Sequence, residues 1–374
     1  MRSLLVFIIF TTVLSFSFNK KEERRKVEIV MCVDFSASTN GLLKTLKKRY
    51  WDIIYDFNRY YPDPDVKIGF IAYGRKAYEE KNKYMKLLSD LTYDYDKIAF
   101  ELHDLIETVE EGQARHGDAI SKAIYDVSWS DDPSVVKMIC VVGNGAINRD
   151  GLNPFGMIDK LKKENIRLNT YYYKNNDSEA IIKNWRLLAE KGKGAYDEFV
   201  LSEPDIHFYK KYDPVWIDDI GKSLSKTYIY YGEKGKENYD NMLYLDSLSR
   251  TLGEDCWESR AIFKSSRFYQ RRNQDWDLVD LFTTNQIDFS EIDREYLPGF
   301  LKSLSDGKLK EYVQLKKIER KELIAELAVQ ASKRDLFLYR KRTKLGLFSF
   351  DKEFSTALIL SFNKALAPYF KVSY

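Results

Sequence analysis

Between residues 26 and 201, strongly apolar runs alternate with segments whose apolar residues recur every three or four positions, and this alternation most constrains the fold. The run Val135–Val142, VVKMICVV, is almost continuously apolar, as expected for a strand buried on both faces of a sheet. Helical spacing follows the first run, at Leu43, Leu46 and Tyr50. The alternation predicts an α/β fold with a doubly wound, mostly parallel sheet and helices on both faces.

One edge of the predicted sheet departs from this alternation. The strand pattern Met85–Leu91 follows the strand pattern Val66–Tyr73 without a helix between them. Two strands joined by a short loop pair antiparallel, because a parallel pair needs a long crossover connection. Later in the domain the pattern predicts a strand over Ile166–Tyr173 and a helix over Glu179–Lys191.

The character of the chain changes after residue 201. Residues 202–236 are predicted to form a connector, and residues 237–374 a charged, mainly α-helical region. Within that region the segment Lys308–Arg342 is highly charged and has only sparse apolar positions. A narrow apolar stripe on a charged helix predicts packing against one partner, as in a helical hairpin or a coiled coil.

The N-terminus has the pattern of a targeting segment. Arg2 precedes the apolar run Leu4–Phe16, and a polar and charged stretch follows. This run is shorter than the ~20 residues that span a bilayer, and its length fits the apolar part of a signal peptide. Residues 1–18 are therefore predicted to be a signal peptide, and the protein to be exported to the periplasm, the cell surface or the medium. No later segment is long and apolar enough for a transmembrane span.

Charge and cysteine content narrow the function classes. The chain has 60 Lys and Arg against 57 Asp and Glu, without the basic excess that nucleic-acid binding favours. Its three histidines are far apart, with no Cys or carboxylate at zinc-ligand spacing. Cys32 and Cys140 fall in predicted central strands, where cysteine is usually a small buried hydrophobe. A disulfide between them remains an alternative.

A carboxylate and two hydroxyls follow the first predicted strand at alternate positions, in the run Asp34-Phe35-Ser36-Ala37-Ser38. In extended chain such positions point the same way, so the three side chains converge at the carboxyl end of the strand. Open α/β sheets usually bind ligands there. Oxygen ligands of this kind suit Mg²⁺, Ca²⁺ or Mn²⁺.

Asp-x-Ser-x-Ser after an apolar strand resembles the first loop of the metal-ion-dependent adhesion site in von Willebrand factor type A (VWA) domains. The order of strands and helices over residues 26–201 resembles that family too. Further similar motifs are listed in chain order: Leu91-Thr92 with Asp94, Gly143-Asn144-Gly145, Trp185-Arg186-Leu187-Leu188-Ala189 and Gly192-Lys193-Gly194-Ala195-Tyr196. The whole chain resembles uncharacterised exported bacterial VWA proteins with a helical C-terminal extension.

The resemblance implies a metal site built from three loops, of which this chain keeps only part. Asp34, Ser36 and Ser38 match the ligands of the first loop. Where the second loop of the family supplies Thr or Asp, this chain has Ala114 and Arg115, and neither side chain can ligate a cation. In the third loop, the usual Asp is replaced by Asn144, which keeps an oxygen but loses the charge.

Several interpretations of this degenerate site remain open. Asp34 and the two serines either hold a divalent cation or act structurally, by capping the following helix and satisfying loop amides. If Arg115 points inward, it pairs with Asp34 and replaces the charge of the metal. Alternatively Glu110, Glu111 or Asp118 compensates for the missing ligands.

The sequence favours a non-enzymatic binding protein. Its VWA domain would engage a protein partner through the loops around Asp34, Arg115 and Asn144, either with a cation or through Arg115 and a partner carboxylate. No base is placed beside the serines, as an activated nucleophile requires. The alternative is a structural or scaffolding component of a cell-envelope assembly, without metal or ligand at this site.

Overall fold

A computed structural model describes residues 24–57, 60–107, 111–201, 212–344 and 354–372. The predicted signal peptide, residues 1–18, lies outside the described residues, as does Glu110 of the second loop. The described strands are β1 (Lys26–Asp34), β2 (Tyr60–Tyr61), β3 (Asp65–Tyr73), β4 (Met85–Thr92), β5 (Val136–Gly143), β6 (Ile166–Tyr173), β7 (Lys193–Phe199) and β8 (Lys371–Val372).

Six of these strands form one sheet in the order β4-β3-β1-β5-β6-β7, and β2 pairs with β8 separately. All neighbours in the large sheet are parallel except β3 and β4, which are antiparallel. The predicted edge hairpin is therefore confirmed. Strand β5 is buried along its whole length, as its near-continuous apolar sequence predicts.

Helices cover both faces of the sheet, which confirms the doubly wound fold. The helices between the strands are α1 (Leu42–Asp56), α2 (Tyr95–His103), α3 (His116–Tyr125), α4 (Ile158–Lys163) and α5 (Glu179–Lys191). Because side chains alternate along a strand, Ile29 and Met31 pack with α1 and α2, while Val30 and Cys32 pack with α3, α4 and α5. Strand β6 and helix α5 have the predicted bounds.

The three cysteines are free and buried. Cys32 belongs to the core on one face of the sheet and Cys140 to the core on the other face. Because they point to opposite faces, the two thiols cannot reach each other, and the disulfide alternative is wrong.

The remaining helices are α6 (Pro214–Ser225), α7 (Gly235–Thr251), α8 (Glu254–Lys264), α9 (Arg267–Gln270), α10 (Leu278–Thr283), α11 (Asp306–Lys344) and α12 (Phe354–Leu366). Helix α6 lies within the range 202–236, which was predicted to be a connector, so that prediction needs correction. Asp213 caps α6 by accepting a hydrogen bond from the amide of Trp216, and Ile217 and Leu224 are buried. The pair Asp213-Pro214 therefore begins a helix that packs in the core.

The C-terminal helices pack on the α1 and α2 face of the sheet and share its core. Trp51 of α1 stacks on Phe263 of α8, with ring centroids 5.3 Å apart, and Phe57 stacks on Phe362 of α12 at 5.4 Å. Within the described part of the chain, no helix has the length and hydropathy of a membrane span.

Buried ion pairs also join the two parts of the chain. Arg334 of α11 contacts Asp52 of α1 at 2.9 Å. Arg260 of α8 contacts Asp96 of α2 at 2.5 Å, and its guanidinium also lies 4.3 Å from the ring centroid of Trp51. Both arginine side chains are almost fully buried. Each arginine contacts a second carboxylate of the helical region as well, Arg334 at Glu258 and Arg260 at Asp246, so these buried charge networks hold the helical region in one position.

Candidate functional site

Asp34 lies at the carboxyl end of the central strand β1 and is fully buried. Its Oδ1 accepts a hydrogen bond from the amide of Ser36 at 2.8 Å, whereas its Oδ2 is buried without a hydrogen-bond partner. Loss of solvent raises the pKa of Asp34 to about 7, although the hydrogen bonds of Ser36 oppose the rise. A buried carboxylate oxygen without a hydrogen-bond partner would be stabilised by a proton or by a cation.

Ser36, Ser38 and Asn144 form a chain of hydrogen bonds beside Asp34. Ser38 Oγ donates to Asn144 Oδ1 at 2.8 Å, and Asn144 Nδ2 donates back to the backbone oxygen of Ser38 at 2.8 Å. The single hydroxyl hydrogen of Ser38 is thereby used, so Ser36 Oγ donates to Ser38 Oγ at 3.0 Å. Ser36 and Asn144 are buried and Ser38 is exposed, so the cluster meets solvent at Ser38.

The structure places Arg115 away from Asp34. Its Nε donates to Asp118 Oδ2 at 2.9 Å, and Asp118 also contacts Lys83 Nζ at 2.8 Å and the amide of Leu152 at 3.1 Å. Although burial opposes it, hydrogen bonds from Lys83 and Arg115 hold the pKa of Asp118 below its usual range. The hypothesis that Arg115 neutralises Asp34 is wrong, because an acidic residue three positions along the same helix pairs with it instead.

Two further residues of the site had no specific signal in the sequence. His116 is buried between two carbonyl groups: Nδ1 contacts the oxygen of Ala114 at 2.5 Å, and Nε2 that of Asn144 at 3.2 Å. Burial lowers its pKa to about 3, so the ring is neutral. Tyr73 donates to the oxygen of Val142 at 2.9 Å and thereby joins β3 to β5 beneath the site.

Glycines let the loops approach Asp34. Gly74 has φ of 83°, and a Cβ there would overlap Asp34 Oδ1. A Cβ at Gly112 would overlap the carbonyl of Gly74, so the second loop lies directly against the first residues after β3. Beside the cluster, a groove of about 250 Å³ is lined by residues that include Ser36, Lys44 and Glu107.

The oxygen atoms of the site are of the kind that bind a hard divalent cation, but they carry only one negative charge to balance it. Asp34 offers an unpartnered oxygen, and the serine hydroxyls and the Asn144 amide add neutral oxygens. Only one ligand is anionic. Among the described residues, no group of three or more His, Cys, Asp or Glu side chains is placed to hold a metal ion.

Residues 26–199 have the order of strands and the single antiparallel edge strand that the resemblance to VWA domains implies. No family model and no curated protein matches the chain. Among solved structures, the VWA domain of SpRpn10 is similar, with 16% identity, a TM-score of 0.35, and coverage of 47% of this chain and 89% of that chain.

Two other solved structures are similar over the same part of the chain. An aerotolerance-related membrane protein from Bacteroides fragilis NCTC 9343 has 17% identity and a TM-score of 0.31, with coverage of 46% of this chain and 90% of that chain. Proximal thread matrix protein 1 from the mussel byssus has 16% identity and a TM-score of 0.34, with coverage of 46% of this chain and 41% of that chain. Similarity at this level concerns the fold alone.

Proposed function

We propose that this is an exported, non-enzymatic protein that binds a protein partner at the carboxyl edge of its VWA-like sheet, around Asp34, Ser38 and Asn144. In this proposal a divalent cation, Mg²⁺, Ca²⁺ or Mn²⁺, binds weakly between those side chains. The observation that carries the proposal is the buried Asp34 Oδ2, which has no hydrogen-bond partner and lies beside a cluster of neutral oxygens that opens to solvent.

A cation at this position would remove the energetic cost of a buried, unpaired carboxylate. Asp34 would supply the only negative charge, because the amide of Asn144 is neutral. Ala114 brings no oxygen to the site, so at least one coordination position would remain for water or for a carboxylate of the partner. The exposed hydroxyl of Ser38 and the groove beside Ser36 give that partner access to the site.

Arg115 would act at the rim of the same surface. Its side chain is 21% exposed and is held by Asp118, which fixes its direction. A second carboxylate, from the partner, could use the remaining N–H groups of the planar guanidinium. Arg115 is therefore proposed to bind the partner and not the cation.

The contacts of His116 support a non-enzymatic role. A serine nucleophile needs a base within hydrogen-bond reach. Both ring nitrogens of His116 face backbone carbonyl oxygens, and neither faces Ser36 or Ser38. The serine hydroxyls themselves are engaged with each other and with Asn144.

The cation proposal is tested by isothermal titration of the full chain with Mn²⁺, Mg²⁺ and Ca²⁺. Asp34→Asn should abolish binding, because it keeps the Oδ1 acceptor for Ser36 but removes the charge. Asn144→Asp should tighten binding about tenfold or more, because it adds a second anionic ligand. Asp126→Asn, at the exposed end of α3, is the matched control and should bind as the wild type does. Absence of heat from both the wild type and Asn144→Asp would refute the cation.

The proposed protein partner is tested in a separate pull-down experiment. The wild type and Asp34→Asn are immobilised and exposed to envelope extracts, with and without a chelator. A protein retained by the wild type and lost both from the variant and with the chelator would support the proposal. A protein retained equally in all four cases would show that binding uses another surface.

A further inference from the structure

Helix α11 carries a second apolar stripe that faces solvent. Its buried stripe includes Leu309, Val313 and Leu327 and packs against α6, α8 and α10. Other large apolar side chains of the same helix are between 46% and 59% exposed: Leu315, Ile318, Val329, Leu336 and Tyr339. At about 100° per residue, the exposed stripe lies on the side of the helix opposite the buried one.

The exposed stripe follows a heptad repeat. Its eight alternating a and d positions are, in order, Leu315, Ile318, Glu322, Ala325, Val329, Ser332, Leu336 and Tyr339. Spacings of three and four residues repeat without interruption over this stretch, which is about 36 Å long. A heptad repeat sustained over this length is the pattern of a coiled-coil seam and not of scattered surface residues.

We infer that this seam is a homodimer interface, in which α11 pairs antiparallel with α11 of a second copy of the chain. In a parallel pair, Glu322 would face Glu322 of the other copy across the seam, and two like charges would be partly buried. In an antiparallel pair centred on position 327, each a residue faces a d residue. Glu322 then faces Ser332, whose hydroxyl can donate to the carboxylate.

The same register matches the other layers of the seam. Leu315 faces Tyr339, Ile318 faces Leu336, and Ala325 faces Val329, each from the other copy. These layers join large residues at the ends and smaller ones near the two-fold axis. The a–d pairs of an antiparallel coiled coil thus bury each exposed apolar residue of the stripe against an apolar residue.

Most charges beside the seam are complementary in this register, although Glu326 of each copy comes opposite Glu326 of the other at the two-fold axis. Position Glu319 of one copy comes opposite Lys333 of the other, and Lys321 opposite Asp335, and the two-fold axis repeats each pair. The small side chain of Ala328 faces itself near the axis, where it allows close approach of the helices. The four favourable contacts outnumber the repulsive one at Glu326, which lies at an exposed position beside the seam, whereas the like charges of a parallel pair would lie within the seam at Glu322. The surface is therefore complementary to a second copy of itself in the antiparallel orientation.

Sedimentation equilibrium of the full chain tests the dimer. The wild type should sediment at twice the monomer mass of 44.0 kDa, and the double variant Val329→Glu, Leu336→Glu at the monomer mass. Lys310→Glu, an exposed change on α11 outside the seam, should remain dimeric. All three should keep the same far-ultraviolet circular dichroism, because the altered side chains are exposed in the monomer. A monomeric wild type at the highest soluble concentration would overturn the inference.

Cysteine pairs test the orientation. The double variant Glu322→Cys, Ser332→Cys should form a disulfide-linked dimer under mild oxidation, because each new thiol faces the other type in the second copy. Ser332→Cys alone should stay reduced, since it meets itself only in a parallel pair. The native cysteines are buried and do not compete. A cross-linked Ser332→Cys dimer, or no cross-link in the double variant, would refute the antiparallel seam. If another segment of the same chain covered the seam, the double variant would form no cross-link.

Discussion

Asp34→Asn is expected to remove a pH dependence of folding stability that the wild type carries. The substitution keeps the shape of the side chain and the Oδ1 acceptor for the amide of Ser36, but it has no titrating proton. In the wild type, burial raises the pKa of Asp34 from 3.8 to about 7. The folded protein therefore holds a proton that the unfolded chain releases in the window between these two values.

The sign and size of the effect follow from proton linkage. Because the folded state binds more protons than the unfolded state between about pH 4 and pH 7, the free energy of unfolding falls as the pH rises through this window. A pKa difference of about 3 corresponds to about 4 kcal/mol in total, and the part lost between pH 5 and pH 8 is about 2–3 kcal/mol. The Asp34→Asn variant should not lose this part of its free energy of unfolding.

The assay is urea unfolding of both proteins at pH 5 and pH 8 in the presence of a chelator, followed by tryptophan fluorescence. Relative to the wild type, Asp34→Asn should gain about 2–3 kcal/mol of stability from pH 5 to pH 8. Asp126→Asn, which changes an exposed carboxylate, should follow the wild type. A difference between wild type and Asp34→Asn that does not change with pH would refute the buried, proton-holding carboxylate. Adding Mn²⁺ at pH 8 should recover part of the lost stability, because a cation favours the ionised form.

Two further variants test the contacts around the site and between the two parts of the chain. Arg334→Met should lower the free energy of unfolding by about 3–5 kcal/mol in urea titrations, because it removes the arginine that contacts both Asp52 and the fully buried Glu258. A loss below about 1 kcal/mol would show that these contacts do not stabilise the fold. Gly74→Ala should lower the melting temperature more than Gly145→Ala does, since both glycines have positive φ but only a Cβ at Gly74 overlaps Asp34. Equal shifts for the two alanine variants would contradict the close approach at Gly74.

The fold of the sheet could be predicted from sequence because each strand and helix has its own periodicity. Strand β6 and helix α5 have the predicted bounds, and their patterns have periods of two and of three to four residues. Helix α6 was missed because residues 202–236 were predicted to form a connector, although Asp213 followed by Pro214 is also a signal for the start of a helix. The local sequence alone does not show whether an Asp-Pro pair lies in a connector or starts a helix.

The candidate site could be predicted only where its residues are close in sequence. Asp34, Ser36 and Ser38 share one loop, so their convergence follows from spacing. The partner of Arg115 depended on a competition between Asp34, in another loop, and Asp118, one helical turn away. The local pair forms at little cost in chain entropy, and no pattern in the sequence reports the direction of the arginine side chain. The second stripe of α11 was missed because only one narrow apolar stripe was recognised in this charged segment.

Because the sheet and the C-terminal helices share one hydrophobic core, the binding and scaffolding hypotheses have to be tested with point variants and not with a truncation. Removing the chain after residue 201 would remove Phe263 from its contact with Trp51 and Phe362 from its contact with Phe57, and it would expose these two apolar side chains of α1 and its C-terminal end to water. Such a truncation would lose its function by unfolding, whichever hypothesis holds. Point variants at Ser38 and on the exposed stripe of α11 avoid this problem, because both positions are open to solvent in the folded chain. A binding role predicts loss of partner at the first position, and a scaffolding role predicts loss of assembly at the second with the first unaffected.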